Sequence, residues 1–120
     1  MKMNMKEWVA ETIRAEKKKA APILSFPGIQ ITGHTVDEMV RDGHLQALCM
    51  EAIAKRFPTG AAFSLMDLSV EAEAFGSPVS YSEDEVPTVT AALVHDEEEA
   101  AALKVPEVGA GRTGECVKGI

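Results

Sequence analysis

The sequence predicts an α/β fold in which short parallel strands are joined by crossover helices, and three stretches carry that expectation. Residues 61–76, AAFSLMDLSVEAEAFG, read as a short apolar strand over 61–66 that ends at Asp67, a brief turn, and an acidic helix over 70–75 closed by Gly76. Leu45, Leu48, Cys49, Ala52, Ile53 and Phe57 step through i, i+3, i+4, i+7, i+8 and i+12, the apolar stripe of an amphipathic helix. Residues 23–26 form a short apolar run ahead of both. Strand, helix, strand in that order is a crossover unit, right-handed with parallel strands, so 23–26 and 61–66 are expected to lie side by side. Ligands in such sheets sit beyond the carboxyl ends of the strands, where Asp67 falls. The plainer reading of Asp67 is a turn aspartate that caps local backbone.

Length and charge narrow the function classes. A chain of 120 residues buries one modest core, so a single domain is the default. Nineteen acidic against twelve basic residues give a net charge of −7, a field that repels phosphate backbones and argues against a nucleic-acid partner. No apolar run has the length of a membrane span, and the Lys-dotted N-terminus lacks the apolar centre of a signal peptide. Two cysteines, Cys49 and Cys116, are too few to staple a secreted fold; the natural compartment is the cytoplasm.

Taken in order, the chain begins with a helix over 4–19. Asn4 and Glu7 resemble a capping box, and Met5, Trp8, Val9, Thr12 and Ile13 recur at helical spacing. Lys17, Lys18 and Lys19 suit the negative end of its dipole; they form either a solvated helix end or a contact for an anionic partner. Pro22 stops this helix, 23–26 make the first strand, and Pro27-Gly28 opens a loop through His34. Thr35 and Glu38 form a second capping box, for a short helix to Arg41 that Asp42-Gly43 breaks or kinks. In the amphipathic helix that follows, His44, Gln46, Glu51, Lys55 and Arg56 take the wet face and Cys49 is an inert core filler. Ser69 is placed to cap the helix at 70–75, and Gly76 suits the left-handed residue that ends one. Beyond it, 78–82 read as extended, 88–94 as a strand or a helical turn, and Asp96 with Glu99 as the cap of a helix to Leu103. Pro106 stops that helix, and 107–120 read as loop and the start of a further, unfinished element.

Gly109, Gly111 and Gly114 match G-x-G-x-x-G, but Pro106 spoils the strand that a dinucleotide site needs before it, so a flexible turn is expected. His34, His44 and His95 share no metal-binding spacing with the cysteines.

The block at 63–89, FSLMDLSVEAEAFGSPVSYSEDEVPTV, resembles the uroporphyrinogen decarboxylase superfamily, in which a strand ends in an Asp and is followed by an apolar turn, a helix closing on Gly, and an extended segment leading to Pro. The wording VEAEAFG is similar to the corrinoid-dependent methyltransferase branch more than to the decarboxylases proper. The N-terminal helix, the first strand, the long helix and LKVPEVGAGR at 103–112 agree with it, so the resemblance covers most of the chain and is specific at 66–76.

That resemblance implies the N-terminal portion of a (β/α)8 TIM barrel: one incomplete domain over 1–120, with an N-terminal helix at 4–19, the first barrel units at 22–76 and a partial third unit at 77–120. A whole barrel takes eight units and typically ~250 residues. It also implies a fragment of an enzyme that moves a methyl group to a thiol or similar acceptor. The alternative within the family is uroporphyrinogen decarboxylase, in porphyrin and haem biosynthesis; the alternative of another class is a non-catalytic α/β association module. Asp67 matches the family's strand-end Asp, which in the decarboxylases holds the pyrrole N–H groups, and is the catalytic candidate. Glu71, on the first turn of the next helix, and His34, in the loop after the first strand, are the substrate-binding candidates; Glu73, two positions from Glu71, points elsewhere and is solvated. The place of the decarboxylases' carboxylate-gripping arginines reads FPGIQITGHT, without any Arg. The resemblance implies zinc and a corrinoid for the complete methyltransferase, with no cofactor held by this chain, which alone is expected to show no turnover. Its expected partners are a C-terminal half or a second copy joined through unpaired sheet edges, and a corrinoid protein.

Overall fold

Helices dominate the chain in a computed structural model that describes residues 3–120. The first, α1 (Met5–Arg14), is capped by Asn4, whose side chain accepts the N–H groups of Lys6 and Glu7. It ends five residues short of the expected 4–19. Lys18 folds back, and its Nζ donates to the carbonyls of Thr12, Ile13 and Ala15 at 2.9, 2.7 and 2.8 Å, satisfying the open end that a further turn would otherwise occupy. No residue of α1 is buried.

Where a loop was expected after Pro27, a one-turn helix forms, α2 (Gly28–Thr32), closed by Gly33 at φ 78°. The expected capping box is present: Thr35 accepts the Glu38 N–H and Glu38 accepts the Thr35 N–H at the start of α3 (Val36–Arg41). Asp42 ends α3 and caps α4 (Gly43–Arg56), accepting the N–H groups of His44 and Leu45. The buried face of α4 is Gly43, Gln46, Cys49 and Ile53. Gln46, expected on the wet face, is 1% exposed, whereas Leu48 and Phe57 of the expected stripe are open. The stripe is rotated because a last helix, absent from the sequence expectation, packs along α4. That helix is α7 (Thr113–Lys118); its C-cap Gly119 lies against the Gln46 side chain, and Glu115 accepts the Gly43 N–H at 3.1 Å.

The core is Val36, Met39, Val40, Cys49 and Leu65, with Phe26, Ile29 and Tyr81 packed on it. Gly28 lies so close to α4 that a Cβ there would stand 2.7 Å from the Cys49 Cβ, which is how two helices share so small a core.

The expected parallel strands at 23–26 and 61–66 do not form a ladder. The two stretches still lie near each other: Gly60 donates to the Ala20 carbonyl at 2.8 Å, Leu24 borders one hollow with Ala61 and Ala62, and Ile23 shares a depression with Phe63 and Leu65. Two short segments by themselves gain too few hydrogen bonds to settle into strands. The strands among the described residues are β1 (Val79–Ser80) and β2 (Thr88–Val89), antiparallel, with Val79 opposite Val89 and Ser80 opposite Thr88. Between 61–66 and β1 lies α5 (Val70–Ala74), and after β2 comes α6 (Glu97–Ala102), capped by Asp96 as expected.

The architecture is thus a helix-rich α/β arrangement with one small sheet. The radius of gyration, 17.5 Å, exceeds the ~14 Å of a compact domain of this length. Large apolar side chains such as Leu68, Val105 and Val108 accordingly stand open. Among the described residues, no helix is long and apolar enough to cross a membrane.

Candidate functional site

Alternation along the extended chain at 64–68 sets up the site. Leu65 and Asp67 turn inward and are buried, while Ser64, Met66 and Leu68 turn out. Residues 63–68, with Ile23 and Glu71, line a depression of about 240 Å³. Its lining is apolar and acidic, and no Lys or Arg is among it.

Behind the depression lies a buried polar network. Asp67 Oδ1 accepts the Ser69 N–H at 2.9 Å and the Ser69 hydroxyl at 2.7 Å. Asp67 Oδ2 accepts from Arg112 Nη1. Arg112 further donates from Nε to Glu73 Oε2 at 2.6 Å and from Nη2 to Ser69 Oγ at 2.9 Å, and Tyr81 donates its hydroxyl to Glu73 Oε1. The Asp67 and Arg112 side chains are 0% and 7% exposed, so the pair acts in a low-dielectric setting. Burial by itself lowers the Arg112 pKa, but the bonds to Asp67 and Glu73 outweigh it and hold the guanidinium above the ordinary arginine range. Burial, followed by the bond to Glu73, raises Tyr81. The Tyr81 ring also carries the Arg41 guanidinium 3.7 Å from its centroid, with Arg112 at 5.1 Å.

The three residues singled out from sequence have different fates. Glu71 is exposed on the depression. Asp67 reaches the same place, but its carboxylate is enclosed rather than presented to an open mouth, with both oxygens engaged. His34 is not part of the lining; its Nδ1 lies 3.3 Å from Glu38 Oε2 at the start of α3. Ser69 does not cap α5 through its side chain, because its hydroxyl is spent on Asp67. Glu73, expected to be solvated, is bound by Arg112 and Tyr81.

Arg112 and Tyr81 escaped sequence reasoning. The signal for Arg112 is its place at the end of LKVPEVGAGR, where Gly109 and Gly111 adopt φ of 84° and 56° and turn the chain so that Arg112 meets α5. Gly109 and Gly111 lie in a turn, whereas Gly114, expected in the same turn, falls inside α7.

A larger depression, about 290 Å³, lies beside α1 between Trp8 and Lys17, Lys18 and Lys19. Its middle lysine is already bound to the α1 carbonyls. Among the described residues no three His, Cys, Asp or Glu side chains converge as a metal site would require.

The family model described as uroporphyrinogen decarboxylase (URO-D) matches residues 10–120. No curated protein and no solved structure matches the chain.

Proposed function

The chain belongs to the uroporphyrinogen decarboxylase family, and from that premise we propose that it is part of a (β/α)8 barrel enzyme of the corrinoid-dependent methyltransferase kind, moving a methyl group to a thiol or similar acceptor. The observation that carries this reading is the charge of the depression. A tetrapyrrole with many carboxylates needs cations around it, yet the lining offers Glu71, Asp67, Ser64 and apolar side chains. The nearby cations are engaged, Arg112 with Asp67 and Glu73, and Arg41 with Asp37 at 2.8 Å and the Tyr81 ring. The segment at 26–35, folded as α2 and its flanks, brings none. A small, weakly charged acceptor suits such a surface better than a polycarboxylate does.

In this reading zinc would activate the acceptor thiol and a corrinoid would carry the methyl group. The residues described do not fit either role: Cys49 is buried with its Sγ 3.4 Å from Thr32 Oγ1, and no metal cluster forms among them. Those groups would be held elsewhere in the complete enzyme. The part played by this chain is binding: Glu71 accepts a hydrogen bond from the acceptor substrate, and Leu68, Met66 and Phe63 exclude water from beside it. Asp67 holds the turn beneath.

Incubation of the complete enzyme with methylcobalamin and a thiol tests the proposal. Loss of methylcobalamin with matching formation of thioether supports it. Release of carbon dioxide from uroporphyrinogen overturns it in favour of the decarboxylase, and inertness toward both favours an association module.

A further inference from the structure

Glu71, the open carboxylate of the depression, stands on a helix of five residues, far too short to hold its shape in water. α5 begins without a side-chain cap; its far end is closed by Gly76 at φ 104°, where the Ser77 and Gly76 N–H groups donate to the Ala72 and Glu73 carbonyls, so it is the start of the helix that lacks a local side-chain anchor. What grips that start from a distant part of the chain is one guanidinium, with the Tyr81 hydroxyl adding a bond to Glu73. Arg112 Nη2 donates to Ser69 Oγ, two positions before Glu71, and Nε donates to Glu73 Oε2, two positions after it; Nη1 takes Asp67. No side-chain hydrogen bond joins Arg112 to Glu71 itself. The planar fork matches three acceptors set at fixed angles, a task for which an ammonium, as a point charge, is unsuited.

We propose that Arg112 is a positioning residue for Glu71: by clamping 67–73 from the N-cap of α7, it fixes where that carboxylate stands over the depression. The inference rests on the reading of the depression as the substrate site. The clamp also makes the site depend on the glycine turn before α7, since Gly109 and Gly111 deliver Arg112 to α5.

Two measurements test it. In the complete enzyme, Arg112→Lys keeps the charge but not the fork, and kcat/KM is expected to fall roughly 10–100-fold, the usual effect of a group displaced by an ångström. Glu71→Gln combined with Arg112→Lys should then be no worse than Glu71→Gln alone, because a clamp has nothing left to position. Additive losses, or full activity in Arg112→Lys, overturn the proposal. The second measurement needs no knowledge of the reaction. Amide exchange in this chain at Glu73 and Phe75, whose N–H groups bond Ser69 and Glu71 carbonyls, should quicken in Arg112→Lys by about tenfold or more while Met39 in the core does not change. Ser69→Ala, which removes one grip and leaves the ion pairs, should give the same pattern at smaller amplitude and serves if Arg112→Lys does not fold. Unchanged exchange overturns the clamp. Faster exchange in Arg112→Lys, found alongside a wild-type enzyme that transfers no methyl group, overturns the methyltransferase reading and leaves the clamp standing.

Discussion

Arg112 donates from Nη1 to the Asp67 carboxylate across 45 positions of sequence, and neither side chain has appreciable contact with water. A buried pair is weak evidence of net stabilisation, but removal of one partner strands the other charge, typically at a cost of about 3–5 kcal/mol. Asp67→Asn is expected near the lower end of that range, because Glu73 still faces Arg112. Urea denaturation checks it. Arg112→Met added to Asp67→Asn should recover part of the loss; a single variant as stable as wild type would mean that the pair is not formed in solution.

The same pairing explains what the sequence concealed. Elements announced by local chemistry were legible: Asn4, the Thr35–Glu38 box and Asp96 each begin a helix where capping residues say so. α7 was not, because TGECVK lacks an apolar stripe and the helix is held by α4, more than fifty residues away in sequence. α2 was hidden behind Pro27-Gly28 and the β-branched Ile29, Ile31 and Thr32, a composition that disfavours helix until α4 packs on it. Residues 23–26 and 61–66 gave the opposite error: an apolar run signals burial, and pairing depends on neighbours it does not name. Of the site, Asp67 and Glu71 were found at one depression, but the partner that encloses Asp67 lies beyond any local periodicity.

Close approach of α2 and α4 gives a second prediction. A Cβ on Gly28 would meet the Cys49 Cβ, Cα and carbonyl oxygen at 2.7, 2.9 and 2.7 Å. Gly28→Ala should therefore destabilise by about 1–3 kcal/mol through overpacking, although alanine favours helix. Cys49→Ala should not rescue it, since every clashing atom remains. A thermal melt in which Gly28→Ala matches or exceeds wild type would contradict this helix contact.

Acid should loosen α7 from α4. Glu115 bonds Lys118 Nζ and the Gly43 N–H, and these, in that order, lower its carboxyl below the ordinary 4.5. A lowered folded pKa stabilises the chain above the unfolded value, and that contribution disappears as pH falls through the folded one. Exchange at the Gly43 amide should rise below about pH 4.5, relative to core amides. Glu115→Gln should show the faster exchange already at neutral pH. Equal protection of Gly43 in both proteins would sink the link.

The two thiols should differ in reactivity. Cys49 is fully buried, whereas Cys116 is half-covered, with its thiol pushed above 9.0 by burial while Arg112 pulls the other way. Thiolate is the reacting form, so iodoacetamide at neutral pH should label Cys116 slowly and Cys49 more slowly still. Arg112→Met should slow Cys116 further. Faster labelling of Cys49 than of Cys116 would mean that α2 does not cover it.

Tyr81 supplies the last prediction, and it reports on the network without any assay of function. It is the chain's one tyrosine, so tyrosinate absorbance in this chain comes from it alone. Burial raises its pKa above 10.0, its hydroxyl bond to Glu73 raises it further, and the Arg112 charge opposes both. A raised folded pKa means that the neutral phenol is favoured in the folded chain: this stabilisation is complete below pH 10.0 and is lost as pH rises through the folded value. Absorbance should therefore rise later than in a free tyrosine, together with loss of the fold. Glu73→Gln removes the negative acceptor and should bring the titration earlier, though not to the free value, because burial remains. Arg112→Met removes the opposing cation and should push it later. The two variants thus move one spectroscopic midpoint in opposite directions, which general loosening cannot do, since any unfolding would carry both toward the free phenol. Shifts of the same sign would show that Tyr81, Glu73 and Arg112 are not joined as described.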